Sequence, residues 1–234
     1  MSEATPKLKL SRLVGHNVLN FDIPYLIRWS IYNGVKVPQE CTPFGGRGNG
    51  RYLPAMYLDT MQFLGAGDYK FMIKLDTAAK ACGFSGKNGN GKYFHQLTQD
   101  EKEEYLSNDV RQTKALFDSI NDSLDITERF TIFDIETQPK SVDEIEQIAP
   151  EFDPETVKVG NIKDYEKIQA KINDARENHI SSLVDKAGLH AHYSDPIAIG
   201  YIHEDGTEQL DFSEPKELVA NFWKLAQKVF QQMI

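Results

Sequence analysis

Apolar and polar residues alternate over 8–14, LKLSRLV, and the run ends at Gly15, a pattern that predicts a strand entering a turn. Ile23, Leu26, Ile27 and Ile31 then recur at helical spacing; Pro24 suits a first turn and Gly34 a stop, so a helix is expected over 22–32. Residues 56–64, MYLDTMQFL, are apolar enough to be buried. LDTAAKAC at 75–82 reads as a short helix closed by Gly83. From Thr98 to Ile120 a long helix is predicted, with acids in its first turn and a stripe of Tyr105, Leu106, Val110, Leu116, Phe117 and Ile120. FTIFDIET at 130–137 reads as a buried strand, and a long polar stretch follows. A single helix is expected over roughly 163–187, with Tyr165, Ile168, Ile172, Ala175, Leu183 and Val184 on one side. DPIAIGYIHEDGTEQLDF forms a hairpin turning at Asp205-Gly206, and a last helix spans 215–234. TPFGGRGNGRYLP (42–54) and SGKNGNGK (85–92) are Gly-rich loops, and no internal repeat is visible.

This alternation of buried strands and amphipathic helices predicts an α/β fold with a central mixed sheet flanked by helices. The 234 residues are 40% hydrophobic, and Gly plus Pro reach only 26 residues, which excludes a collagen-like, linker-like or wholly disordered chain. No run of 18 apolar residues is present and MSEATPKLKL lacks a secretory core, so no membrane contact and a cytoplasmic location are expected. Cys41 and Cys82 are too few for a disulfide framework and read as small buried hydrophobes. The net charge of −9 argues against a sequence-independent nucleic-acid coat, though not against an enzyme that acts on nucleic acid. It is also lopsided: residues 1–125 carry 15 Lys/Arg and 14 Asp/Glu, net +1, and residues 126–234 carry 11 and 21, net −10.

Four acids stand out. Asp134 and Glu136 lie two apart in an apolar strand and so point to one face, a placement that either marks an edge strand in water or calls for a divalent cation between them. Asp22 follows the turn Gly15, His16, Asn17 and, taken alone, reads as a helix cap. Tyr105 and Asp109 are spaced i, i+4, which alone is an ordinary solvated helix face. His190 and His192 form an HxH pair without a nearby third ligand and read as a polar loop.

Taken together, FDIET (133–137), GHNVLNFD (15–22) and YLSND (105–109) resemble the first, second and third motifs of the DEDD superfamily of 3′-5′ exonucleases, in the subgroup with Tyr in the third motif. The wider sequence, with FDPETVKVGNIKD and LDTAAKACGFSGKNGNGKYF, is similar to stand-alone bacterial and phage exonucleases related to the proofreading domain of B-family DNA polymerases. The resemblance implies one RNase H-like domain over 1–234. It implies two divalent cations, Mg²⁺ or Mn²⁺, with Asp134 bridging them, Glu136 and Asp109 completing the first site and Asp22 holding the second. Tyr105 would orient the attacking water and Thr137 would touch the terminal nucleotide, while His16 and Asn17 would either touch it too or stabilise the turn. The implied reaction is hydrolysis from the 3′ end of single-stranded DNA to 5′-mononucleotides. A 3′-5′ exoribonuclease and a non-catalytic nucleic-acid-binding module on the same fold stand as alternatives. The partner is nucleic acid with a free 3′ end; no replication or repair partner is indicated.

The motif order departs from the family: second, third, first. Residues 130–234 resemble the family's amino-terminal half and residues 7–120 its carboxyl-terminal half, with 121–129 as linker, which is the signature of circular permutation. Asp109 to Ile120 spans about 16 Å of helix and Phe130 to Asp134 about 13 Å of strand. Nine linker residues reach about 30 Å. Pairing of the halves between chains, a homodimer by half-domain exchange, remains the other arrangement. Arg47, Arg51, Lys87 and Lys92 are loop cations able to follow a phosphate backbone. The excursion from 138 to 192 is longer than a turn needs, and its first part, 138–162, reads either as a flap over the bound 3′ end or as a plain structural excursion.

Overall fold

The computed structural model describes residues 11–42, 56–66, 68–84, 94–124 and 129–231. Five strands build one sheet in the order β2-β1-β3-β4-β5, with β1 at Ser11–Gly15, β2 at Tyr57–Asp59, β3 at Arg129–Pro139, β4 at Ser194–His203 and β5 at Glu208–Asp211. β1 runs parallel to both neighbours: Leu13 lies opposite Tyr57 on one side and Thr131 on the other, while Gly15 lies opposite Asp59. β4 and β5 form the predicted antiparallel hairpin, with Gly200 opposite Leu210. The carboxyl ends of the three parallel strands therefore come together, the end at which open α/β sheets place their sites. Leu13 and Val14, flanked on both sides, have no exposed surface.

Helices α1 (Asp22–Asn33), α2 (Thr60–Leu64), α3 (Leu75–Ala81) and α4 (Gln99–Leu124) follow β1 and β2, and α8 (Pro215–Gln231) follows the hairpin. Alternation along β3 sends Phe130 and Ile132 toward α4, where they pack with Val110 and Phe117; Phe117 meets the Phe130 ring at 4.9 Å. Phe133 points the other way and meets Phe222 of α8 at 5.2 Å. On that second face α8 is fastened to α1 by the indole N–H of Trp223, which donates to the Ser30 hydroxyl at 2.8 Å. Burial of each such large side chain stabilises by about 1.5–3 kcal/mol relative to exposure, so both faces of β3 act as core. This mixed five-stranded sheet with helices on both faces is the RNase H-like α/β architecture that the motifs imply.

Helix α4 runs one turn further than its periodicity predicts, through Leu124; in that last turn the Ser123 hydroxyl donates to the Ser119 carbonyl at 2.7 Å. Of the expected linker 121–129, residues 121–124 belong to α4 and Arg129 opens β3; residues 125–128, and loop residues 43–55 and 85–93 with Arg47, Arg51, Lys87 and Lys92, lie outside the described residues. Cys41 is buried as expected, but Cys82 is exposed: it sits just past α3, where the chain turns outward.

The chain forms two compact units, one holding the sheet and its helices up to Thr137 and again from Pro196, the other Gln138–Asp195. In the second unit the stretch after FDIET, which the sequence reads as merely polar, contains α5 (Val142–Ile148). A capping box starts it: the Glu144 N–H donates to Ser141 Oγ at 3.3 Å, and the Ser141 N–H donates to the Glu144 carboxylate at 2.9 Å. The expected single helix over 163–187 is two: α6 (Tyr165–Glu177) and α7 (His179–Val184). The break falls at Asn178, whose side chain bonds the Asp174 carbonyl at 2.9 Å, while the His179 ring bonds the Pro150 carbonyl at 2.9 Å. Ile168, Ile172 and Ala175 are half-buried, but Tyr165 is exposed. The small core of this unit is Ile145, Ala187 and Tyr193, with Leu183 and Val184 against them. His190 is exposed, and the half-buried His192 ring lies tilted against Tyr193, ring centroids 3.8 Å apart, so the pair stands in a loop whose Ala191 and Tyr193 are buried.

Candidate active site

The same alternation that buries Phe130 and Ile132 carries Asp134 and Glu136 to the α4 side of the sheet, past the point where hydrophobic packing ends. There α4 supplies Asp109, which is 2% exposed. One carboxylate oxygen from each of Asp109, Asp134 and Glu136 lies within 4.8 Å of the other two. Close approach of α4 depends on Gly200 of β4. A Cβ there would stand 2.9 Å from Leu106 Cγ and 3.0 Å from Val110 Cγ1, the side chains on either side of Asp109 along the helix. The Tyr105 ring, one turn before Asp109, leans on Phe94 at 5.6 Å.

Asp22 enters from the other direction, at the first position of α1. It does not cap that helix, since Phe21 is the N-cap residue and makes no side-chain cap; Asp22 is instead buried. Burial first, then the charge of Asp134, and more weakly that of Asp59, push its carboxyl well above the ordinary carboxylate range. Asp22, Asp109, Asp134, Glu136 and Tyr105 line one cleft of about 460 Å³ together with His16, Asn17, Phe21, Met61, Lys74, Leu75 and Asp76. Thr137, next on β3, is half-buried and is not in that lining.

The turn that delivers Asp22 rests on a residue the sequence reading missed. Asn17 is left-handed at φ 71°, and the Asp59 carboxylate accepts the N–H groups of Asn17 (2.8 Å) and Leu19 (3.1 Å). The same carboxylate caps α2 through Met61 N–H (2.9 Å) and Gln62 N–H (3.4 Å). His16 adds a second tie: its Nε2–H donates to the Ile73 carbonyl and its Nδ1 pairs with the Thr60 hydroxyl, both at 2.9 Å. His16 and Asn17 thus line the cleft and hold its turn at once. The signal for Asp59 was in the chain: an acid inside an otherwise apolar run, immediately before Thr60 and a helix start.

All the converging donors are carboxylate oxygens, two of the four acids are buried, and like charge raises Asp22. A hard divalent cation is the group such a donor set fits. Residues 4–127, more than half of the 234, match a family described as a predicted 3′-5′ exonuclease related to the exonuclease domain of PolB. The chain belongs to that family. The family's activity acts on nucleic acid, and the matched residues include Asp22, Tyr105 and Asp109, while Asp134 and Glu136 follow them. No curated protein and no solved structure matches the chain. No helix among the described residues is long and apolar enough to cross a membrane.

Proposed function

We propose that the protein is a two-metal-ion 3′-5′ exonuclease of the DEDD superfamily, in the subgroup with Tyr in the third motif, which removes 5′-mononucleotides from the 3′ end of single-stranded DNA. The observation that carries the reading is the convergence of Asp109, Asp134 and Glu136 in a cleft also lined by Asp22 and Tyr105. Asp134, Glu136, Asp109 and Asp22 are the residues that would hold two Mg²⁺ or Mn²⁺ ions, Asp134 serving both, Glu136 and Asp109 the first and Asp22 the second. Bound divalent cations supply positive charge at the reacting phosphate and lower the pKa of water. Tyr105, whose phenol ordinarily titrates near pH 10, donates or accepts a hydrogen bond that aims the attacking water and does not act as the outright base. His16 and Asn17 contact the terminal nucleotide from the turn; Thr137, outside the lining and on the face of β3 opposite Asp134 and Glu136, is not assigned to it.

The chain order is read as a circular permutation of the family's. Two facts support it: the family match over 4–127 holds the second and third motifs, and the strand with the first-motif acids is central in the sheet although it follows β1 and β2 in the chain. Asp109, Asp134 and Glu136 converge within a single chain, so the halves need no exchange between chains to complete the cluster. A protein rebuilt with 130–234 ahead of 7–120 is expected to fold and to cut the same substrates.

The direct test is digestion of 5′-labelled single-stranded DNA and RNA of one sequence with Mg²⁺, Mn²⁺ or EDTA, resolved nucleotide by nucleotide. A ladder shortening from the 3′ end of DNA, with mononucleotide product and no cutting in EDTA, is expected. Faster cutting of RNA would transfer the reading to an exoribonuclease, and metal-dependent binding without cutting would leave a binding module.

A further inference from the structure

Five acids line the cleft, Asp22, Asp76, Asp109, Asp134 and Glu136, and against them the lining holds one Lys, Lys74, and no Arg. The chain at Lys74 is fixed from both sides. The Ile73 carbonyl before it accepts from His16 Nε2 at 2.9 Å, which ties it to the turn that carries Asp22. Leu75 after it is buried against Leu116 and Ile120 of α4, the helix that carries Tyr105 and Asp109. Asp76 is matched by Lys80, whose ammonium lies 2.8 Å from its carboxylate. Lys74 is exposed and forms no ion pair with any described acid, so its charge is not matched within the described part of the protein.

That charge matters because of what enters the cleft. Two divalent cations held by Asp22, Asp109, Asp134 and Glu136 balance those four carboxylates and leave no excess positive charge among them. A phosphodiester arrives with one negative charge, and more develops on its non-bridging oxygens as water attacks. We propose that Lys74 is a further catalytic residue, whose ammonium donates a hydrogen bond to a non-bridging oxygen of the scissile phosphate and opposes the charge that grows there. The reaction keeps the balance of a hydrolysis: the water oxygen bonds to phosphorus, the P–O3′ bond breaks with its electron pair going to O3′, water gives up one proton and O3′ takes one up. Lys74 keeps its own protons throughout. This rests on the exonuclease reading of the cleft and adds the cation of the chain that meets the substrate.

Lys74→Met and Lys74→Arg variants are compared with wild type in three assays. They are Mn²⁺ binding without substrate by calorimetry, binding of thymidine 5′-monophosphate with Ca²⁺, and hydrolysis with Mg²⁺ of a single-stranded octanucleotide and of the p-nitrophenyl ester of thymidine 5′-monophosphate, which presents the scissile phosphate alone. Met keeps most of the apolar stem and loses the charge. The Met variant is expected to bind Mn²⁺ at least as tightly as wild type, because a like charge has gone, and the nucleotide about tenfold more weakly. Its kcat should fall by about 10- to 100-fold, as for one lost hydrogen bond to a charged group. The loss should be the same on ester and octanucleotide, since both present the phosphate that Lys74 touches, and Arg should recover most of it. Weaker Mn²⁺ binding by the Met variant, a loss confined to the octanucleotide, or an Arg variant no better than Met would overturn the assignment. If wild type cuts the strand and the Met variant matches it, the lysine contact falls and the exonuclease reading stands; if wild type binds the nucleotide through Lys74 and cuts nothing, the reverse holds.

Discussion

The carboxylate of Asp59 accepts the N–H of Asn17 at 2.8 Å, so the last residue of β2 fixes the turn that carries Asp22 into the cleft. Four backbone donors depend on that one side chain, two in the turn and two at the start of α2. Asp59→Ala strands them in a buried setting and removes a helix cap, at a cost of about 2–4 kcal/mol in stability. Asp59→Asn keeps one oxygen acceptor and faces the remaining donor with an NH₂ group, so a smaller loss is expected. Urea melts give the two costs. Hydrolysis measured on the Asn variant, still folded, should drop with them, because the turn and Asp22 move together; an Asn variant of full activity would show that the turn does not need Asp59.

Asp134→Ala should abolish hydrolysis, a loss on the order of 10³-fold or more, and leave the fold intact. Without metal the variant should melt at or above wild type near neutral pH, since Asp134 lies beside Asp109 and Glu136 and its charge opposes ionisation of buried Asp22. Thermal melts in EDTA decide this: a variant melting well below wild type would make Asp134 a structural residue. Tyr105→Phe, which keeps the ring on Phe94 and removes only the hydroxyl, should slow hydrolysis less than Asp134→Ala does.

Gly200→Val places branched carbon where a single Cβ would already stand 2.9 Å from Leu106 and 3.0 Å from Val110. Overpacking of this kind costs about 1–3 kcal/mol. Because α4 also carries Tyr105 and Asp109, its displacement should reduce hydrolysis by more than the loss of folded protein accounts for. A calorimetric melt and an assay at a temperature where the variant is fully folded separate the two effects.

Most of the fold was legible because its periodicities are strong: β3 alternates, α4 carries a continuous stripe, and Asp205-Gly206 marks the hairpin turn. The acids were legible for the same reason, since polar residues interrupt otherwise apolar patterns. What escaped is what depends on partners distant in sequence. Asp59 looks like one more polar residue until the turn 42 positions earlier folds onto it. The break at Asn178 interrupts no apolar stripe; it follows from local bonds to Asp174 and from His179 meeting Pro150, 29 positions away. α5 is too short for a periodicity to declare itself, and its evidence lay in the Ser141–Glu144 box rather than in apolar spacing. Cys82 shows the opposite error: residue type favours burial, but the end of α3 points it outward.

The raised carboxyl of Asp22 gives the metal-free protein a pH dependence of defined sign. Between the unfolded value of an Asp, about 3.9, and its own higher value in the fold, Asp22 holds a proton in the native state that the unfolded chain has lost. Native protein binds more protons over that window, so its stability falls as pH rises, by at most about 1.4 kcal/mol per pH unit for one group. The contribution is fully present below the unfolded value and is gone once pH passes the folded one. Other groups titrate over the same range, so the comparison is with Asp22→Asn, which has no carboxyl to ionise. In EDTA, wild type should lose stability relative to Asp22→Asn as pH is raised from about 4. Divalent cation should reverse the difference, because the ionised carboxylate then has a positive partner, and its stabilising effect on wild type should grow with pH. Denaturant melts of both proteins at several pH values, with EDTA and with Mn²⁺, measure the difference directly. Parallel curves in EDTA would mean that Asp22 ionises in the fold as easily as in the unfolded chain, and that neither burial nor Asp134 acts on it.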